Sequence, residues 1–545
     1  MTAETVNIPH QAGQEREFSL LFVILPYRVY ANEAKSSKTR SFTAMPYGVL
    51  SIASYLKKHS RRPLDIRIFD MNLYDRDEWH SALAQTLAQR TPDVVGLSLM
   101  FDISYRYVAE IAGAARKLSP ETLILLGGAA ATTSWEAIPR EQPDIDAVCY
   151  AEGEAALLRL VNAPEPRAEL ARHPAWVTRH KLDQRVPPVA DYLNDLDELI
   201  DIDYGLIEYW KYGMKEAFSP FSSYGDDHEN RQFFIVTSRG CPFKCVFCAE
   251  PSFHGKNMRY ASVDAVIAHV GQLVERYGMN VLTFYDDQLL LERDRAKELF
   301  RRLAPFGLRV ETPNGLTAAF IDDEMAMLMK GAGMDTVPLA IESGSDHVLK
   351  HIIHKPLRLD KLKGIVDTLK KRGLFVQGFF VSGLPGELEE HRDETVRFIK
   401  EVGLDWGSFS LATPLRGTQL YHLCVENGWI DKNLGIGDID LNQYIIRVPG
   451  TDPDHIMRKT YLMNLEVNFV YNHRMSAGDY AVAARCFEDV IQRYGNHAFA
   501  YYYLAQAQRA MAADDGGDAL EHYFHIVETD PTWKSYAQAF DLPVH

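Results

Sequence analysis

Two stretches of this 545-residue chain alternate short β-branched runs with amphipathic segments, and that alternation leaves few folds open. In the first, strands are expected at residues 20–25, 64–69, 93–98, 122–126 and 147–150, with helices at 48–59, 79–89 and 105–117. Such an array predicts a Rossmann-like, doubly wound parallel sheet that takes its ligand at the carboxyl ends of the strands, where strand order reverses. The second array has six strand candidates, at 233–238, 281–285, 308–312, 336–341, 374–381 and 406–411, each but the last followed by a helical pattern. A barrel built this way also carries its site at the carboxyl ends of its strands. Beyond about residue 450 the pattern is purely helical. A chain of this length outgrows a single core, and the expected units are 1–165, a polar connector at 166–230, the second array at 231–445 and a helical region at 446–545.

The loop after the first strand of the second array reads SRGCPFKCVFCAE from Ser238 to Glu250 and holds Cys241, Cys245 and Cys248. Three thiolates bind three irons of a cubane, and ordinary carriers add a fourth cysteine. None lies nearby, so the remaining iron of a 4Fe–4S cluster would keep an open position for a substrate or cofactor. A structural zinc site would need a fourth ligand, for which His254 is the nearby candidate. Disulfides fit poorly, because an odd triplet within eight residues cannot pair off, and residues 1–17 lack the apolar core of a signal peptide. Cys149, Cys424 and Cys486 stand in apolar surroundings and read as buried inert thiols. A reduced, cytoplasmic protein is expected, with disorder confined to about the first fifteen residues and no apolar run of membrane-spanning length. The net charge of −16 argues against a nucleic-acid partner, which would call for a basic surface.

Polar groups recur at the strand ends. In the second array these are Asp286, Asp287, Asn314, Glu342, Ser343, Gly383 and Glu387, with helix capping as the alternative role for Asp287, Glu342 and Glu387. In the first, Ser98 closes the third strand and Gly127-Gly128 follows the fourth, leaving bare backbone beside a switch point or simply making a turn. The acidic run 195–203 reads as a solvated face of the connector.

The cysteine loop, with Phe247 before the third cysteine, resembles the radical S-adenosylmethionine (SAM) superfamily, whose core is a partial (β/α)6 barrel. The resemblance implies that SAM chelates the open iron and that Phe247 packs near its adenine. It also implies that Asp286, Asp287, Asn314, Glu342, Ser343, Gly383 and Glu387 surround SAM. The first array resembles cobalamin-binding domains through PYG at 46–48, GLS at 96–98, LGGAAATT at 126–133 and AEGE at 151–154. That adds Glu152 and Gly153 to Ser98, Gly127 and Gly128 as cobalamin-side residues. The D-x-H-x-x-G motif that supplies an axial histidine in many such domains is missing, and residues 26–46 contain no histidine. Cobalamin is therefore expected base-off, with Leu99, Met100 and Phe101 lining its lower face. PLRGTQLY at 414–421 resembles the cobalamin-associated branch, and residues 477–531 resemble about one and a half tetratricopeptide units. Too few for a solenoid, these units are expected to cap the barrel, with protein docking as the alternative; the row Phe499, Tyr501, Tyr502 and Tyr503 would be core, with part of it facing the substrate cavity.

Taken together, the likeness is to class B radical SAM enzymes and implies a cobalamin-dependent methyltransferase acting on a small molecule. Its electron donor would be a flavodoxin or ferredoxin. A radical cyclisation or rearrangement without net methylation is the second expectation. A cobalamin or redox sensor is the third, and has no need of an open iron beside acidic strand ends.

Overall fold

Seven consecutive buried residues form β1 (Phe18–Ile24), the composition of a strand covered on both faces. This computed structural model describes residues 16–27, 43–212, 230–439, 443–512 and 516–544. The expected disorder at the N-terminus and most of the histidine-free loop at 26–46 lie outside those residues. Around β1 stand β2 (Leu64–Asp70), β3 (Val94–Ser98), β4 (Leu123–Gly127), β5 (Ala147–Cys149) and β6 (Trp176–Val177), in the order β2-β1-β3-β4-β5-β6. All pairings are parallel except the last. The order reverses between β1 and β3, so the switch point lies there, as the doubly wound expectation requires.

The second array forms six parallel strands in sequence order. The first half is β7 (Gln232–Ile235), β10 (Val281–Phe284) and β11 (Arg309–Glu311); the second is β12 (Thr336–Glu342), β13 (Phe375–Ser382) and β14 (Trp406–Leu411). An isolated parallel bridge, Leu316 to Leu339, joins the halves into a partial barrel that stays open between β7 and β14. A two-stranded antiparallel ribbon, β8 (Ser238–Arg239) with β9 (Arg259–Tyr260), frames the cysteine loop at the carboxyl end of β7.

The connector does more than connect. It contributes β6 to the first sheet, and Leu196, Leu199, Ile200, Ile202 and Tyr204 pack into the barrel core. The acidic run is thus amphipathic and only its carboxylates face outward: Asp197 caps the helix Val263–Tyr277 through Ser262, and Asp203 pairs with Lys57 across to the first sheet's helix.

Four helices, Tyr480–Tyr494, Ala498–Ala510, Gly517–Thr529 and Pro531–Ala539, close the chain. Their core of Phe487, Phe499, Tyr523 and Trp533 is continuous with Phe469 and with Phe375 and Trp406, the first residues of β13 and β14. The bundle therefore braces the amino ends of those strands, opposite the cysteine loop. This corrects the expectation that part of the aromatic row faces the substrate cavity: Phe499 is fully buried, Tyr501 stacks on His522, and Tyr502 packs on Tyr523. A buried carboxylate ties the same end together, for Asp405 pairs with Lys370 at 2.9 Å and Arg474 at 2.7 Å and accepts from the Val376 N–H.

His497 caps Ala498–Ala510 through Nδ1, which accepts from the Ala500 N–H, and its ring lies between Phe469 and Trp533. Burial pushes its pKa down to about 3. Because the folded value lies below the ordinary value of about 6.5, this contribution is complete above pH 6.5 and is lost as pH falls from there toward 3. The expected slope is up to about 1.4 kcal/mol per pH unit. His497→Asn keeps a capping oxygen and should remove that share of the slope in urea unfolding at stepped pH. An unaltered slope would show that His497 does not titrate against folding.

Candidate cofactor sites at the domain interface

The cysteine loop is held from below by a buried acid. Asp286, just past β10, accepts from the Thr237 N–H, the Thr237 hydroxyl and the Ser238 hydroxyl, all within 3.1 Å. Its carboxylate is thereby committed to protein, which removes Asp286 from the groups that reach a ligand. Gly240 has φ +97° because a Cβ there would stand 2.4 Å from the Asn257 carbonyl, so the ribbon closes tightly just ahead of Cys241. The Val246 N–H donates to the Ile353 carbonyl and the Leu420 N–H to the Val246 carbonyl, tying the loop to the segments after β12 and β14. All three cysteines are free thiols. Burial pushes Cys241 upward, Cys245 to about 11 and Cys248 to about 12, so their thiolates are favoured only when a bound cation compensates the charge.

Around the loop the strand-end groups divide. Glu342 sits at φ +73°, in the left-handed region where a non-glycine residue is strained, and pairs with buried Lys355 at 2.9 Å. It caps no helix. Lys355 and Glu342 both act electrostatically on Cys245, which places this ion pair beside the thiols. Asp287 shares a hydrogen bond with Glu250, and burial pushes both carboxyls upward, so the pair retains a proton. Asn314 is exposed and donates to the Tyr285 carbonyl at 2.9 Å. Phe247 is half-buried against the barrel core.

Ser343 and Glu387, by contrast, hold backbone. The Ser343 hydroxyl accepts from the Ser345 N–H, and buried Glu387 accepts from the Gly383 N–H at 2.6 Å with Arg392 beside it. Gly383 has φ +85°, and its carbonyl accepts from the Tyr444 hydroxyl. Two further residues reach the thiols: Lys355, which ends no strand and is brought there only by packing, and Glu250, which stands two residues after Cys248 in the cysteine loop itself.

On the first sheet, Met100 and Phe101 follow β3 at the switch point and are 48% and 43% exposed, unusual for such side chains. Tyr27, past β1, stands 5.9 Å from Phe101, making an apolar platform. Ser98 is half-buried at the strand end, while Leu99 is buried and donates its N–H to the Gly127 carbonyl. The bare backbone at Gly128 is consumed by protein: with φ +111°, its Cβ would lie 2.4 Å from the Leu99 carbonyl. Gly153 likewise faces Ile52, where a Cβ would come within 2.9 Å. Glu152 turns away from the platform. Its carboxylate binds Arg239 at 3.1 Å, both terminal guanidinium nitrogens of Arg259, and His254 Nδ1 at 2.7 Å. Burial alone would raise this carboxyl, but Arg239, Arg259 and His254 together hold it far below the usual range.

These contacts bring the two carboxyl edges face to face. The helix Ala129–Thr133, opening at Gly128, packs against Glu250–Phe253, the helix that follows Cys248. At the same seam Ser252 donates to the Gly417 carbonyl, and a Cβ on Gly417 would meet Thr133 at 2.7 Å.

The donor set fits a cluster better than a single ion. Among the described residues no three His, Cys, Asp or Glu side chains form a single-ion site, and His254, the fourth ligand a zinc site would need, is bound to Glu152. Three thiols that each take a different iron need not converge. Replacing Cys241, Cys245 and Cys248 together by Ala should abolish iron and sulfide loading while thermal unfolding shifts by only a few degrees. Retention of stoichiometric iron by that variant would rule the loop out as the cluster site.

Comparison with known proteins finds a separate family for each array. Residues 38–161 match the family model of the B12 binding domain, and residues 235–399 that of the radical SAM superfamily. An uncharacterized methyltransferase of Pyrococcus horikoshii is 29% identical over 407 residues, covering 75% of this chain and 83% of that protein. The cytidylyl-2-hydroxyethylphosphonate methyltransferase of Streptomyces wedmorensis is 27% identical over 459 residues, covering 78% and 86%. The radical SAM methyltransferase TsrM from Kitasatospora setae, solved with cobalamin and an iron–sulfur cluster bound, superposes with a TM-score of 0.62 at 16% identity, over 91% of this chain and 100% of that one. With a B12-binding sheet and a cysteine-bearing partial barrel meeting at their carboxyl edges, this chain belongs to the cobalamin-dependent radical SAM family.

Proposed function

We propose that this enzyme is a cobalamin-dependent radical SAM methyltransferase, moving a methyl group to an unactivated carbon or phosphorus of a small-molecule substrate. One observation carries the reading: the carboxyl edges of the two sheets, each a place where such folds bind ligands, are packed against each other at the cysteine loop. A reactive substrate and a methyl donor held in one enclosed space meet before solvent intervenes.

In this reading residues 1–165 hold cobalamin, 231–445 hold the cluster and SAM, and 446–545 brace the barrel. Cys241, Cys245 and Cys248 would take three irons, and the Met100–Phe101 platform would hold the lower face of cobalamin. When bound, the cluster supplies the electron that splits SAM, and cobalamin carries the methyl group. The chain's own residues orient and exclude. Glu342, strained and beside Cys245, accepts from the amino or ribose groups of SAM. Lys355 is placed to neutralise the SAM carboxylate, Asn314 and Asp287 offer hydrogen bonds at adjacent strand ends, and Phe247 covers the adenine. Asp286, Ser343 and Glu387 set the backbone on which these act. In this reading the electron comes from a flavodoxin or ferredoxin of a reducing cytoplasm. Among the described residues no helix is long and apolar enough to cross a membrane.

Anaerobic, reconstituted protein given SAM and reductant should release 5′-deoxyadenosine, and absence of that product would end the radical reading. Added hydroxocobalamin should show a base-off spectrum, unchanged by replacing any histidine; a nitrogen ligand on cobalt would contradict the platform assignment. Glu342→Gln should weaken SAM binding by about 1.5 to 3 kcal/mol, roughly ten- to a hundredfold, through loss of a charge-assisted hydrogen bond. Calorimetric titration of the cluster-loaded variant decides, and unaltered affinity would remove Glu342 from the site.

A further inference from the structure

Two guanidiniums and two carboxylates are buried together between the first sheet and the barrel. Arg239 and Arg259 are paired residues of the β8–β9 ribbon, and both reach across the seam. Arg239 binds Glu152 at 3.1 Å and Glu154 at 2.8 Å, and Glu154 also accepts from the Ser51 hydroxyl at 2.7 Å. Arg259 chelates Glu152, donates to the Leu193 and His254 carbonyls, and lies over the Tyr192 ring. Their side chains are at most 8% exposed. As a source of stability such a cluster is poor, since apolar side chains of equal volume commonly do as well, whereas its directional bonds specify one geometry.

Both sides of the cluster are locked to the candidate cofactor sites. Arg239 stands two residues before Cys241, with left-handed Gly240 between them. On the other side Ala151, also left-handed at φ +65°, immediately precedes Glu152, and its N–H donates to the Thr132 hydroxyl. Thr132 belongs to the short helix that opens at Gly128, whose backbone is pressed against Leu99, the residue before Met100. A continuous run of fixed contacts thus joins the Met100–Phe101 platform to the first cysteine.

We infer that Arg239, Glu152, Glu154 and Arg259 form a positioning clamp that sets the distance and orientation of the cluster relative to the cobalamin. The inference rests on the two-cofactor reading above and assigns these four residues a role in geometry; none of them touches the reacting atoms. Radical methylation needs both cofactors to reach one substrate atom, and a displacement of about 1 Å costs such reactions roughly a hundredfold.

The test uses full-length protein carrying both cofactors, reduced so that the cluster and cob(II)alamin are both paramagnetic, and reads their dipolar coupling by electron paramagnetic resonance. Wild type should give one narrow coupling. Glu154→Gln should broaden it and shift it to weaker values, with iron and cobalamin contents at the wild-type level. Arg239→Lys keeps the charge but loses the fork to two carboxylates, so it should broaden the coupling too, and it serves if Glu154→Gln fails to fold. Asp405→Asn, which disturbs a buried charge at the other end of the barrel, should lower stability and leave the coupling narrow. Wild-type coupling in both clamp variants would overturn the clamp and leave the function standing. Failure of the wild type to load both cofactors would overturn the two-cofactor reading and the clamp with it.

Discussion

The architecture turns on the buried charges that join the β8–β9 ribbon to the start of the helix Glu154–Asn162. Neither side is stable alone in that place: a carboxylate or a guanidinium stripped of water costs several kcal/mol unless its partner is present. Each domain therefore completes the other's electrostatics. The pairing also explains why residues so far apart in sequence must fold together, since the ribbon framing the cysteines is anchored to a different sheet from the one that produces it.

Acids at strand ends serve two purposes here, and the division follows from where backbone donors are left over. Asp286 and Glu387 accept from N–H groups that irregular loops leave without partners, so they build the loops that present the site. Glu342 and Asp287 instead face side chains around the thiols, Glu342 in a strained conformation that surrounding packing must maintain. Two glycines serve the loops as well: the space at Gly128 and Gly240 is taken up by neighbouring carbonyls, so these residues allow tight loop packing.

The C-terminal helices act at a distance. By gripping the amino ends of β13 and β14 through Phe469, Phe375 and the Asp405 charges, they stiffen the half of the barrel whose open edge is β14. This barrel does not close on itself, and its free edges need such support. The connector gives matching support on the other side, where the Tyr204 hydroxyl donates to the Phe234 carbonyl of β7 at 2.6 Å.

Strand and helix positions were legible in the chain because parallel strands are covered on both faces and write themselves as apolar runs; β10 and the helix Trp79–Gln89 fall where periodicity puts them. The cysteine spacing was legible too, since neighbouring ligands come from one loop. Periodicity says nothing about which polar group meets which, and that only the tertiary structure decided. It turned Glu152 from the platform to the domain seam and committed Asp286 to Thr237 and Ser238. It also brought Lys355 to the thiols and moved the aromatic row to the far end of the barrel. The physical reason is range. Hydrophobic pattern acts along a single element, whereas a buried charge is settled by whatever partner the folded chain delivers within about 3 Å, from any distance in sequence.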